Sequence, residues 1–228
     1  MNLRKPKKIL KQPESTSMET WRESFDEYRY IAPFYNWIIE PFLKPLKKTI
    51  ARYCQKENLS CIVDICCGTG TQCHLLKEKK ITCIGIDISS PMLRTAKSSG
   101  AFFRYIRMNA NRLAFKDSVF EGAVISFALH EKSFESRQTI LNEAKRVVRS
   151  GGNIFLADYI VPSSRSCRNS GIAIIERMAG VNHFFHYRDF YKRGGVIAVA
   201  EASGLPYSLL RTFHGNTFGL VSLKNVSH

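Results

Sequence analysis

Ile62-Val-Asp-Ile-Cys-Cys-Gly-Thr-Gly-Thr71, followed by Gly85-Ile-Asp-Ile-Ser89, decides how this chain folds. A short apolar run ends in a turn with two glycines, and a second run ends in an aspartate. Adjacent parallel strands of an α/β protein build a nucleoside pocket at their carboxyl ends in this way. Gly68 and Gly70 carry no Cβ, so the backbone there can turn sharply and come close to a ligand. Asp87 lies 23 residues beyond Asp64 (87 − 64), the length of one helix and one strand. A carboxylate at that point can accept hydrogen bonds from both hydroxyls of a ribose. The pattern predicts an adenosine-type cofactor.

The choice of cofactor turns on the residues around the glycines. A dinucleotide fingerprint wants G-x-G-x-x-G, with a pyrophosphate at the helix N-terminus. Here the third position is Cys73, and Asp64 stands ahead of the turn in the pattern D-x-x-x-G-x-G. A carboxylate close to the turn repels a pyrophosphate but suits a ligand carrying an ammonium and a sulfonium, as S-adenosylmethionine does. On these residues the chain resembles the class I S-adenosylmethionine-dependent methyltransferases. Asp64-Ile-Cys-Cys-Gly-Thr-Gly70 in particular resembles the ubiquinone/menaquinone C-methyltransferase-like branch, methyltransferase type 11.

The resemblance covers roughly residues 25–225 and implies a cofactor site in chain order. Asp64, Cys66, Gly68, Thr69 and Gly70 belong to the turn, and Asp87, Ile88 and Met92 follow the second strand. Asn109 and Ala110 stand where relatives usually carry Asp-Ala, the acidic residue binding the adenine amino group. The amide oxygen of Asn109 can accept the same hydrogen bond. Phe127 closes the fourth strand. Tyr35, in Tyr28-Arg-Tyr-Ile-Ala-Pro-Phe-Tyr35, matches a lead-in tyrosine that reaches the cofactor, and reads equally as a core aromatic.

The expected fold is α/β: a Rossmann-like, seven-stranded, mostly parallel sheet with a C-terminal antiparallel hairpin, helices on both faces and an N-terminal helical lid. Strands are predicted near residues 61–66, 82–87, 102–108, 122–127 and 152–158, with a hairpin from Tyr207 to Phe213 and Thr217 to Leu223. Ile140 to Arg149 reads as an amphipathic helix leading through a glycine turn into the fifth strand. Residues 1–18 read as a basic arm and 19–228 as one domain. Within that domain, 19–55 form a helical lid broken by Pro33, Pro41 and Pro45, and 160–190 form a lid insertion.

Composition narrows the setting. With 228 residues the chain is one domain by size, large enough for a full core. Seven cysteines include no C-x-x-C pair and no zinc-ligand spacing, which suits a reducing, cytoplasmic location. No apolar run approaches the ~20 residues of a membrane span. The net charge of +15 includes Arg4, Lys5, Lys7, Lys8 and Lys11 in the arm, which could touch an anionic membrane surface or nucleic acid.

For chemistry, the candidate bases are His130, Glu131, His183, His186 and Tyr187. His130 leads because it follows the fourth strand directly and neutral imidazole is a competent base near pH 7. A structural hydrogen bond is its other reading. His183-Phe-Phe-His-Tyr187 pairs aromatic surface with titratable groups, as a pocket for a flat acceptor or as packing. These residues complete no metal set. The resemblance implies methyl transfer to a small-molecule or lipid acceptor, with a quinone-like ring carbon as one candidate. The charge suggests RNA methylation as the alternative, although no recognisable RNA-binding module is present.

Overall fold

The computed structural model describes residues 40–98, 104–161 and 181–226. The arm at 1–18 and Tyr35 lie outside them. The elements are α1 (Glu40–Lys56), β1 (Cys61–Ile65), α2 (Thr71–Glu78), β2 (Thr82–Asp87), α3 (Ser90–Ser98), β3 (Arg104–Arg107), β4 (Phe120–Ser126), α4 (Phe134–Val147), β5 (Val148–Tyr159), α5 (Val181–Lys192), α6 (Gly195–Ala202), β6 (Tyr207–Phe213) and β7 (Phe218–Lys224).

The seven strands form one sheet in the order β3-β2-β1-β4-β5-β7-β6. β1 to β5 run parallel, whereas β7 pairs antiparallel with both β5 and β6. Strand order reverses between β1 and β4, so the carboxyl ends of β1, β2 and β4 open on one crevice at the switch point.

Alternation along each strand divides the core into two faces. Ile62, Cys83, Val124 and Phe155 meet Leu46, Ile50 and Cys54 of α1, Leu76 of α2 and Leu93 of α3. Val63, Ile65, Ile125 and Ile154 meet Ile140 and Ala144 of α4, Tyr187 and Phe190 of α5, and Val196 of α6. Helices thus cover both faces, as the sequence predicts.

Three details differ from the sequence reading. Pro41 and Pro45 do not break the helix they fall in. Pro41 occupies the first turn of α1, where a missing N–H costs nothing, and the helix continues through Pro45. Its interior contacts with α2, made through Leu46, Ile50 and Cys54, outweigh one lost hydrogen bond. Next, α4 begins six residues before Ile140, capped by Ser133, whose hydroxyl accepts the Ser136 N–H at 3.2 Å. It also stops at Val147 rather than Arg149. Val148 already pairs with Phe120, and the ladder resumes at Gly122 with Asn153, so the glycine turn is a bulge inside a longer β5. The described end of the 160–190 insertion is α5, whose Tyr187 and Phe190 are buried in the core.

Candidate functional site

The turn after β1 is held in a strained path. Cys66, Gly68 and Gly70 all have positive φ, at 59°, 54° and 79°. For cysteine that conformation costs about 1–3 kcal/mol, a strain that collects at functional sites. Cys67 N–H donates to the Ile86 carbonyl at 2.9 Å, and Gly70 N–H donates to the Cys67 carbonyl at 3.0 Å. The two glycines face different surroundings. A Cβ on Gly70 would run into the Tyr105 hydroxyl, whereas a Cβ on Gly68 would meet nothing within 4 Å. Gly68 therefore presents bare backbone to open space. Thr69 is buried, and burial pushes the Cys66 thiol up to about 12, so Cys66 stays a neutral thiol.

Asp87 is oriented by that turn. Its Oδ2 accepts the Gly68 N–H and its Oδ1 accepts the Ser89 N–H, both at 2.8 Å. Each oxygen keeps a further lone pair, enough for two ribose hydroxyls. Burial raises its pKa, and the two backbone donors oppose that rise. Ile88 is 47% exposed and offers an apolar surface beside it; Met92 is buried in the first turn of α3. Asn109 turns its amide oxygen to the Asn111 backbone N–H at 2.9 Å and to the Asn111 side-chain amide at 3.2 Å. Its own NH2 is the donor left for a ligand. Ala110 is buried next to it.

Asp64 alternates with Val63 and Ile65, so its side chain points to the sheet face that α1 and α2 cover. It is 1% exposed, its Oδ2 accepts from the Cys73 thiol at 3.6 Å, and its Oδ1 has no hydrogen-bond partner. Burial pushes its carboxyl up to about 7, with Lys47 and the Cys73 thiol pulling it down.

The ends of β4 and β5 build a second cluster. Phe127, at φ 54°, donates its N–H to the Ala157 carbonyl at 2.8 Å. One residue beyond Ala157, Asp158 is 1% exposed and receives backbone N–H groups from Leu129 (3.1 Å), His130 (3.3 Å) and Tyr159 (2.8 Å). Its Oδ1 also lies 2.8 Å from Nδ1 of His130. Three donors already occupy this acceptor, so the fourth contact places the proton on Nδ1 and leaves Nε2 as the basic nitrogen. The His130 ring is buried edge-to-face between Tyr159 (5.0 Å) and His183 (5.5 Å). His183 Nδ1 lies 3.7 Å from Glu131, which also pairs with Lys132.

The structure thus brings His130, Glu131 and His183 together. It sets Tyr187 apart, with its ring packed between Tyr159 and Tyr191 in the core. His186 contributes its carbonyl to Arg137. Sequence reasoning missed Asp158 as a partner of His130; the available signal was an acid directly after the apolar run Ile154–Ala157. Among the described residues no group of three His, Cys, Asp or Glu side chains could hold a metal ion.

The fold is that of the class I S-adenosylmethionine-dependent methyltransferases. Residues 63–156 match the family model described as "Methyltransferase domain". An uncharacterized methyltransferase of Synechocystis is 32% identical over 103 residues, 45% of this chain and 49% of that protein. A demethylmenaquinone methyltransferase of Thermotoga maritima is 26% identical over 121 residues, 52% of each chain. The chain therefore spans about half the length of the curated relatives it matches. Among solved structures, an S-adenosylmethionine-dependent methyltransferase of Thermotoga maritima, described as a possible histamine N-methyltransferase, superposes with a TM-score of 0.61 at 17% identity. That match covers 87% of this chain and 98% of the other, and it speaks to the fold.

The residues present fit this cofactor on three structural observations. Gly68 offers unobstructed backbone, Asp87 keeps acceptor capacity at the crevice, and Asp64 carries an unpaired buried oxygen.

Proposed function

We propose that this protein transfers the methyl group of S-adenosylmethionine to a small-molecule or lipid acceptor whose attacking atom must lose a proton, a quinone-like ring being the leading candidate. The observation that carries the reading is the buried His130–Asp158 pair at the ends of β4 and β5, on the sheet edge that also carries the cofactor turn. The quinone candidate rests on the name of the Thermotoga maritima relative, demethylmenaquinone methyltransferase, and on the wording of Asp64 to Gly70.

When bound, the cofactor supplies an electrophilic methyl carbon on a positively charged sulfur. Asp87 would hold the ribose, Ile88 would offer its apolar surface to the base, and Asn109 would offer its NH2 to a ring nitrogen. Nε2 of His130 would take the proton lost by the acceptor hydroxyl or ring carbon; the acceptor gains its bond to the methyl carbon as the carbon–sulfur bond breaks, and the sulfur keeps that electron pair and leaves as a neutral thioether. Asp158 holds the ring in the tautomer that turns Nε2 away from it, and stabilises the imidazolium that results. Tyr159, Phe190 and the His183 ring enclose His130 and keep water from it.

Calorimetric titration with S-adenosylmethionine, followed by transfer of labelled methyl to demethylated quinones, extracted lipid and total RNA, tests this reading. Micromolar cofactor binding with label in the quinone or lipid fraction is the expected result. Label in RNA, falling steeply between low and physiological salt, would instead establish a nucleic-acid acceptor.

A further inference from the structure

We propose that Glu40 and Gln72, together with Asp64, receive the ammonium at the amino-acid end of the cofactor; the inference rests on the cofactor reading above. Among the described residues three buried side-chain oxygens have no hydrogen-bond partner: Glu40 Oε1, Asp64 Oδ1 and Gln72 Oε1. All three belong to one patch where α1, β1 and α2 meet. Their other polar atoms are tied together there. Lys47 Nζ donates to Glu40 Oε2 at 2.9 Å, Gln72 Nε2 donates to the Lys47 carbonyl at 3.3 Å, and the Cys73 thiol donates to Asp64 Oδ2 at 3.6 Å. Glu40 is 5% exposed and the other two are 1% exposed.

Native proteins leave few such groups unpaired, because a buried acceptor without a donor keeps its full desolvation cost. Three in one patch call for a common donor. Charge points the same way. Lys47 is one cation against the carboxyl groups of Glu40 and Asp64, so the patch lacks one positive charge when both are ionised. An ammonium supplies up to three N–H donors and that charge at once.

Topology puts the patch in the right place. α1 descends to the amino end of β1, so its first residue, Glu40, starts at the carboxyl edge of the sheet. Gln72 lies in the first turn of α2, two residues beyond Gly70, and Asp64, the penultimate residue of β1, meets Cys73 of that same turn.

The test compares two probes on folded variants. S-adenosylhomocysteine carries the amino-acid end, whereas 5′-methylthioadenosine lacks it. In calorimetric titrations, Glu40→Gln and Gln72→Met should each weaken S-adenosylhomocysteine at least tenfold. Both should leave 5′-methylthioadenosine within about twofold of wild type. Should Glu40→Gln fail to fold, Gln72→Met carries the comparison alone. Unchanged S-adenosylhomocysteine affinity would overturn the proposal and give the three oxygens to a trapped water. Equal losses for both probes would overturn it as well, since the effect would then be general. Wild-type protein that binds neither probe would bring down the cofactor reading itself, and this inference with it.

Discussion

Oδ1 of Asp158 lies 2.8 Å from Nδ1 of His130, across 28 residues of sequence and two neighbouring strand ends. With three backbone N–H groups also pointing at Asp158, this carboxylate cannot turn away from the ring. His130→Ala should lower turnover by about 10²–10⁴-fold, the usual contribution of a positioned base, while cofactor affinity stays at the wild-type value. Asp158→Asn should cost about 10–100-fold, the range met when a histidine loses its orienting partner. Steady-state kinetics beside calorimetry separates the two effects. Full turnover in His130→Ala would make the pair purely structural.

Gly68 and Gly70 share a left-handed conformation but not an environment, so alanine separates their roles. At Gly68 the added methyl meets nothing within 4 Å. The fold then carries only the backbone cost of about 1–2 kcal/mol, a fall in Tm of roughly 2–8 °C. Cofactor affinity should drop at least tenfold, because the methyl occupies the approach to the backbone. At Gly70 the methyl collides with the Tyr105 ring, which itself packs against Gly85. That variant should lose far more stability. Thermal denaturation and titration of both proteins check this, and wild-type cofactor affinity in Gly68→Ala would place the ligand elsewhere.

Much of the fold was legible because parallel strands covered on both faces read as apolar runs, and Ile62–Ile65, Cys83–Ile86 and Ala123–Ile125 are such runs. The hairpin was legible from the turn residues His214-Gly-Asn216. What escaped was set by partners distant in sequence. Val148 enters β5 because Phe120 pairs with it, although Arg149-Ser-Gly-Gly152 has the composition of a turn. The link from Asp158 to His130 exists only because Ser126 and Ala157 are in register, which no local pattern reveals. Glu40 reads as a solvated acid at a helix start until Lys47 and α2 are seen to bury it.

The carboxyl of Asp64 gives the ligand-free protein a pH-dependent stability of unusual sign. Burial pushes it up to about 7 from the 3.8 of an ordinary aspartate. Between those values the unfolded chain is ionised while the native state holds its proton. The native state therefore binds more protons, and its stability falls as pH rises, by up to about 1.4 kcal/mol per pH unit. Above pH 7 both states are ionised and the slope disappears, after a loss on the order of 4 kcal/mol. Asp64→Asn should flatten the dependence between pH 4 and pH 7. Urea unfolding across pH 4–8 reads it directly, and parallel curves for variant and wild type would mean that Asp64 is ionised throughout.

Arg137 is the clamp that keeps the His130 cluster assembled. Its Nε donates to the Leu129 carbonyl at 3.0 Å, its Nη2 to the His186 carbonyl at 2.7 Å, and its Nη1 to Asp189 at 2.8 Å. The guanidinium also lies over the Phe190 ring at 5.0 Å. One planar side chain thereby joins the loop after β4, which carries His130, to α5, which carries His183. Arg137→Met preserves much of the volume but leaves two carbonyls without their donor and Asp189 with Arg193 alone, so unfolding free energy should fall by about 3 kcal/mol. Arg137→Lys should recover only part of that loss, because an ammonium cannot reach three acceptors in a fixed fork. Turnover should decline with both substitutions while cofactor affinity holds, since the hydrogen bonds of Arg137 go to Leu129, His186 and Asp189 and not to Gly68 or Asp87. If lysine restores stability and turnover together, charge alone matters at this position, and the geometric role assigned to the fork is wrong.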